Sequence, residues 1–530
     1  MTVRAPTSLR VLDALAVAAG ALTVGQAMLW GRVIGSANGN RPETFAHALG
    51  VVLAGLAAGL VVGLPLKERL GLGALRFGAL TVALSGVVFY LAMPTGATVM
   101  LRGAATGRAA FFAGAAVAAG AMGALVPALF EATAARMDSR PLSVARVTST
   151  LVLGAAAGAL VTGFVLLDAE TLEHSILIVT LSALGLAQAL WLVAPERRRR
   201  AGVTVFALAS LAALAGHARL FDGFLERVHF GPGAGETQYR VVVQGRSGIV
   251  GVTTDGRVFG DGLYRGATSL DAGATPDLIS RAYLVPALHR TPRRILQIGL
   301  GSGAWTRILA DIPGVDSLTV VEGNPGYLDA LWRVPLIAGV LDDQRVRVHL
   351  DAPRRWLARH PQRRFDVIVA NTEWHWSAGA THVLSAEFLQ LLKGHLAPGG
   401  VAYFNGTGSL DALYTASGVW RHVVRASNYI AASDAPFDQG RDERRAAVLS
   451  IVAPDGTPRI RGARAPQTAD AILDQVSGDL APALRRANDL WNITENNMAS
   501  EFKATGAGAW WRALPGRVWR PDRAWPTVLF

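Results

Sequence analysis

Gly299-Leu-Gly-Ser-Gly303 follows the apolar run Ile295-Leu-Gln-Ile298, and a second apolar run, Leu318-Thr-Val-Val321, ends on Glu322. Glycines at this spacing let backbone turn tightly and approach a ligand. An acid roughly 20 residues after the loop can accept hydrogen bonds from ribose hydroxyls. The pairing is that of an adenosine-type site on a doubly wound sheet, with Gly299, Gly301, Ser302, Gly303 and Glu322 as candidate cofactor-binding residues. The plainer reading of Glu322 is a solvated strand-end acid; the glycine loop ahead of it favours ribose contact. Later, Asn371-Thr-Glu-Trp-His-Trp376 follows the apolar run Phe365-Asp-Val-Ile-Val-Ala370. In an extended strand Asn371 and Glu373 share a face. Glu373 can then take a proton while Asn371 orients a substrate, and Trp374, His375 and Trp376 can close the site and hold a cation against aromatic faces. The plainer reading is a loop packing its own aromatics with Glu373 solvated. His375 is a second candidate base.

Strand signals alternate with helix signals around these residues. Runs at 294–298, 318–322, 346–350, 365–370 and 401–405 read as strands, and 276–288 and 386–396 as helices, the latter stopping at Pro398-Gly-Gly400. That alternation implies a mostly parallel sheet with helices on both faces. Before it, residues 236–268 carry short alternating runs such as Tyr239-Arg-Val-Val-Val243, separated by turns such as Asp255-Gly256. They read as a small antiparallel sheet.

The first part of the chain is almost entirely apolar. Runs at 11–29, 45–66, 72–93, 109–130, 147–167 and 175–194 each approach the ~20 residues a helix needs to cross hydrocarbon. They are rich in Gly and Ala, as in Gly154-Ala-Ala-Ala-Gly158, which lets helices pack closely in lipid. The first run has no small-residue cleavage site and more spans follow, so it reads as a span rather than a signal peptide. A seventh run, 203–218, is shorter. Arg4 and Arg10, Lys67 and Arg69, Arg136 and Arg140, and Arg197 to Arg200 fall in alternate loops, while Asp168, Glu170 and Glu173 make one opposite loop acidic. The positive-inside rule puts the amino terminus in the cytoplasm. Six spans then leave the soluble part cytoplasmic, and seven leave it outside. A cytoplasmic supply of nucleoside cofactor favours six, with 203–218 interfacial or re-entrant.

Composition agrees with a hybrid. The chain has 530 residues, 51% hydrophobic and 17% charged, with no cysteine and a net charge of +12. Arginine clustered at the ends of apolar runs suits a membrane face, and no basic helix or stacking module marks a nucleic-acid binder. Absence of cysteine excludes disulfides and thiolate chemistry. His289, His349, His360, His382 and His395 lack metal-ligand spacing, so no metal is expected.

The ordered set of a small β-sheet, Gly299-Leu-Gly-Ser-Gly303, Val320-Val-Glu322, Phe365-Asp-Val-Ile-Val369, Glu387-Phe388 and His395-Leu-Ala-Pro-Gly-Gly400 resembles the spermidine synthase (polyamine aminopropyltransferase) family. Trp30-Gly-Arg32, Leu53-Ala-Gly-Leu-Ala-Ala-Gly59, Val126-Pro127, the stretch 143–163 and Ile493-Thr-Glu-Asn-Asn-Met498 resemble its membrane-fused members. The resemblance implies transfer of an aminopropyl group from decarboxylated S-adenosylmethionine to a small-molecule amine such as putrescine, with homo-oligomers common. It also implies a place for Asp351 near the adenine, although Ala352 stands at the aligned position. Several positions depart from the family. Ser302 stands where the glycine loop usually has Asp, Asn371 where the catalytic Asp stands, Trp374 and His375 where a second acid and a proline follow, and Asp277-Leu278 where a Tyr-Gln pair is frequent. Asn hydrogen-bonds but accepts no proton at neutral pH. Glu373 is the first candidate for a replacement base, and His375 the second. S-adenosylmethionine-dependent methyl transfer, or non-catalytic nucleoside or polyamine binding by a membrane protein, are the other readings. The expected architecture is a multi-span α-helical membrane domain (1–220) in contact with lipids, a small antiparallel β-domain (221–275), and an α/β Rossmann-like domain of the class I methyltransferase type with a C-terminal tail (276–530).

Overall fold

The computed structural model describes residues 8–194, 199–273, 279–371, 379–406 and 408–497. The chain forms two compact units. One runs through Tyr239 and includes 244–249 and 261–263; the other holds 240–243, 250–260 and the chain from Tyr264 on.

The first unit is a helical bundle: α1 (Leu9–Ala37), α2 (Pro42–Arg69), α3 (Ala74–Met100), α4 (Ala104–Ala134) and α5 (Arg140–Val161), then a π-turn (Thr162–Leu166) into α6 (Leu167–Ala169), α7 (Leu172–Val193), α8 (Arg199–Leu220) and the short α9 (Phe224–Phe230). Among the described residues seven helices, counting α5 to α6 as one, are long and apolar enough to cross a membrane. Ser8, Ser139 and Thr171 start α1, α5 and α7 by accepting from Val11, Leu142 and His174 N–H, removing orphan donors. Glycine sets the closest seams. A Cβ at Gly154 or Gly158 would strike the α1 backbone at Val17 or Ala21, and one at Gly59 the α4 backbone at Gly120. Some polar groups pair between helices: Ser85 Oγ donates to Gln26 Oε1 at 2.9 Å, and the partly exposed Arg146 and Lys67 pair with Asp13 and Glu131.

The seventh run forms a long helix, a candidate span by length and composition. Its helix, α8, extends past the apolar stretch at both ends and lies antiparallel along α7. Phe206, near its start, meets Trp191 at the end of α7 (ring centroids 5.9 Å apart), and His217, near its end, meets His174 at the start of α7 (5.7 Å). Tyr90 Oη of α3 donates to Ala213 O at 2.9 Å.

A four-stranded sheet follows in the order β1 (Tyr239–Gly245), β2 (Gly248–Thr253), β3 (Arg257–Gly260), β4 (Leu263–Ala267). Asp261 and Gly262, both at positive φ, form the two-residue turn between β3 and β4.

The second unit is built on an eight-stranded sheet of β5 (Arg294–Ile298), β6 (Ser317–Glu322), β7 (Val346–Leu350), β8 (Phe365–Ala370), β9 (Leu396–Asn405), β10 (His422–Ala426), β11 (Tyr429–Ser433) and β12 (Val476–Asp479), in the order β12-β10-β11-β9-β8-β5-β6-β7. β5 to β9 are parallel, and β10 to β12 extend the sheet antiparallel. Alternate residues feed opposite cores. Ile295, Val320, Val367 and Tyr403 face one, and Leu296, Ile298, Val321 and Phe404 the other. Both faces are buried, so these strands read as continuous apolar runs. The chain winds from β5 outward to β7, then returns to β8 on the other side of β5. That reversal opens a crevice at the carboxyl ends of β5 and β8, where ligands bind in open α/β sheets. Two local differences stand out. The 386–396 helix stops at Gly394, and Pro398-Gly-Gly400 lies within β9. Within 276–288, the described part is a 3-10 turn (Ile279–Leu284) and α10 (Val285–Leu288).

Candidate active site

Gly299, Gly301 and Gly303 lie at the mouth of the crevice with φ of 86°, 55° and 73°. These angles cost L-residues with a Cβ about 1 kcal/mol or more each. Space is also closed. A Cβ at Gly303 would run into Ile337 and Leu331, and one at Gly299 would sit 2.8 Å from Asn371 O. The loop leads into α11 (Ala304–Ala310). Ser302 is buried beneath β4, where Gly266 leaves room for its hydroxyl.

Glu322 ends β6 beside this loop. Its carboxylate accepts from Leu300 N–H at 2.7 Å and Asn324 N–H at 2.8 Å, so it fixes the glycine loop and the turn after its own strand. It is buried, and that burial raises its pKa above the ordinary carboxylate value, against the pull of the two backbone N–H groups and of Arg265. Each carboxylate oxygen keeps further acceptor capacity. A buried acid beside a glycine turn at this crevice suits the ribose of an adenosine-type ligand.

Asn371 follows β8 and hydrogen-bonds Ile298 O through its N–H at 3.1 Å, which ties it to β5. Its side-chain Oδ1 accepts from Tyr429 Oη at 2.5 Å, and its Nδ2 faces Gly301. The Tyr429 ring stacks on Trp305 (centroids 5.2 Å, planes 18° apart), touches Tyr403, and lies 5.7 Å from the Arg281 guanidinium carbon. Burial raises the Tyr429 pKa, with Arg281 opposing, so the phenol stays protonated and donates.

The structure thus brings Gly299, Gly301, Ser302, Gly303, Glu322 and Asn371 together. Asp351 adjoins them through its N–H, which donates to Glu322 O at 3.0 Å, but its carboxylate is held by Arg355, Arg359 and Ala352 N–H. Burial works against its ionised form, yet these partners win and lower its pKa. Glu373, Trp374, His375 and Trp376 lie outside the described residues, as do Asp277, Leu278 and Met498. Sequence reasoning passed over Trp305, Tyr429, Arg281 and Arg265. Trp305, two residues past the glycine loop, was visible; Tyr429 reaches the site only through an antiparallel hairpin that no local signal announced. Among the described residues no His, Asp and Glu group could hold a metal.

No protein-family model matches the chain. It is 26% identical over 245 residues to a polyamine aminopropyltransferase of Aeropyrum pernix, covering 42% of this chain and 72% of that protein. It is 30% identical over 372 residues to polyamine aminopropyltransferase 2 of Streptomyces coelicolor, covering 66% of each. It therefore spans about two thirds of the length of these curated relatives, not the whole. Superposition on the crystal structure of spermidine synthase from Thermotoga maritima gives a TM-score of 0.33 at 18% identity, over 41% of this chain and 85% of that one. By its curated relatives, the chain is a spermidine synthase-like protein.

Proposed function

We propose that the protein is an integral membrane transferase of the spermidine synthase type, moving an aminopropyl group from decarboxylated S-adenosylmethionine to an amine such as putrescine. The observation that carries this reading is the glycine cradle closed by the buried Glu322 carboxylate at the switch point of the sheet. Glu322 would hold the ribose, and Gly299 to Gly303 would pass close to the adenosyl group. The donor supplies a sulfonium-activated carbon: the amine nitrogen forms a bond to it, the carbon–sulfur bond breaks, methylthioadenosine leaves, and the amine proton goes to a base. Amines are cationic at neutral pH, so that base is needed. We assign it to Glu373, with Asn371 orienting the amine.

One observation favours a second reading. Asn371 cannot accept a proton, and its Oδ1 already accepts from Tyr429. A site without that base suits nucleoside or polyamine binding without turnover, while Ser302 in place of the family's Asp suits S-adenosylmethionine-dependent methyl transfer.

The test is donor turnover by full-length protein in detergent, with decarboxylated S-adenosylmethionine or S-adenosylmethionine and a panel of amines, followed by mass spectrometry. The expected result is amine-dependent methylthioadenosine, lost in Glu373→Gln. S-adenosylhomocysteine would assign methyl transfer. Nucleoside binding without either product would leave a binding protein.

A further inference from the structure

The helical unit is charged unevenly. Lys67, Arg69 and Arg76 flank the α2–α3 loop, Arg136 and Arg140 the α4–α5 loop, and Arg197 to Arg200 the α7–α8 connection. The α6–α7 turn carries Asp168, Glu170 and Glu173 instead. The opposite loops also carry Arg32, Arg41, Arg102 and Arg108, but fewer and more scattered basic residues than the first set, and such a Lys/Arg bias orients a bundle. The arginine-rich face is the cytoplasmic one.

Which face releases the chain depends on α8. It runs the length of α7. Its start lies by Trp191, over which the Arg76 guanidinium carbon sits at 4.9 Å, on the arginine-rich face. Its end lies by His174 and Tyr90, on the acidic face. Residues 244–249, which belong to the helical unit, meet the same acidic face independently. Arg246 N–H donates to Asp168 Oδ1 at 2.9 Å, Leu172 N–H donates to Gln244 Oε1 at 2.7 Å, and Arg32, near the end of α1, donates to Gly245 O at 2.6 Å. The chain therefore leaves the bundle at the acidic face after residue 220 and is still there at residue 249.

We infer that the chain beyond α8, glycine loop included, is displayed on the extracytoplasmic side, and that its site takes its adenosyl ligand and acceptor from that side. This deepens the function proposed above, and its consequence for the reaction rests on that reading. An adenosyl sulfonium with a charged tail does not cross hydrocarbon unaided, since a charge at the bilayer centre loses its hydration. A carrier-mediated export of a charged adenosyl compound is then the class of step that must precede the transfer.

The absence of cysteine makes the test direct. Single substitutions Asp138→Cys (α4–α5 loop), Arg102→Cys (α3–α4 loop), Asp455→Cys and Arg461→Cys (second unit) are exposed to a membrane-impermeant maleimide in spheroplasts expressing the full chain. Asp138→Cys is expected to react only after permeabilisation and the other three before it. Protection of both Asp455→Cys and Arg461→Cys until permeabilisation would overturn the inference. Two positions guard against one variant failing to fold, which elution of the purified protein reports. Labelling needs no turnover, so a failed transferase assay leaves this result standing, and the reverse.

Discussion

Glu322 fixes the glycine loop and, in the proposed site, also holds the ribose, and these two roles pull in opposite directions with pH. Burial raises its pKa, so its ionised form costs stability that the protonated form does not. On stability, its contribution is complete below the ordinary carboxylate pKa and is lost as pH rises through the raised one. On ligand binding the sign reverses, because ribose hydroxyls donate best to the ionised carboxylate. Affinity for an adenosine-type ligand, followed by calorimetry, is therefore expected to fall on acidification with a midpoint above the ordinary value of 4.5. Glu322→Gln should weaken binding by roughly tenfold or more, about the 1.5–3 kcal/mol of a hydrogen bond to a charged group. A variant that binds as tightly as the parent would remove Glu322 from the site. Tyr429→Phe addresses the other wall. It frees Asn371 Oδ1, and it should change the acceptor KM while lowering stability by only about 1 kcal/mol. An unchanged KM would make that contact merely structural. The glycines and Glu322 were legible in sequence because a glycine turn and a strand-end acid are local features. Tyr429, Arg281 and Arg265 were not, because only the pairing of distant strands sets them beside the loop.

At the scale of elements, what could be read was what a short window contains. β5 and β7 match their apolar runs, and β6, β8 and β9 were found because strands buried on both faces are unbroken apolar stretches. β10 to β12 escaped because their runs are short, β10 and β12 are broken by Arg425 and Asp479, and all three exist through pairing that starts from β9 at β11 and passes through β10 to β12. Pro398-Gly-Gly400 resembles a helix stop, yet the backbone there is already extended into β9. The seventh helix looked short because Arg199, Arg200, His217 and Arg219 sit at its ends, although the helix continues through them. The glycine seams, by contrast, were visible as motifs and carry a sharp expectation. Gly59 of α2 packs against the α4 backbone at Gly120, where any side chain collides. Gly59→Leu should force the two helices apart and cost several kcal/mol by overpacking, seen as aggregation in size-exclusion chromatography. Gly185→Leu is the control, since nothing lies near its Cβ position. Equal behaviour of the two variants would mean that the α2–α4 seam tolerates separation.

For the molecule as a whole, the two units have separate cores, one among the long helices and the others on the two faces of the large sheet. Units with their own cores unfold with their own transitions unless an interface couples them. Differential scanning calorimetry in detergent is expected to resolve two transitions, each with its own handle. An adenosine-type ligand acts on the second unit, which holds Gly299 to Gly303 and Glu322. At about a hundred times its Kd it should stabilise that unit by about 2.7 kcal/mol and leave the other transition in place. Protons give a handle on the first unit. Burial lowers the pKa of His229 from 6.5 to about 3, and its Nδ1 lies 2.7 Å from Tyr239 Oη. The unfolded chain then takes up a proton before the folded one does. The stability this histidine contributes is complete above pH 6.5 and drains away as pH falls toward 3. Between pH 6.5 and about pH 5, where most carboxylates remain ionised, the first transition should drop with a slope that His229→Gln flattens. A single transition that both handles move together would show instead that the units unfold as one, and an unflattened slope in His229→Gln would assign the proton uptake to another group.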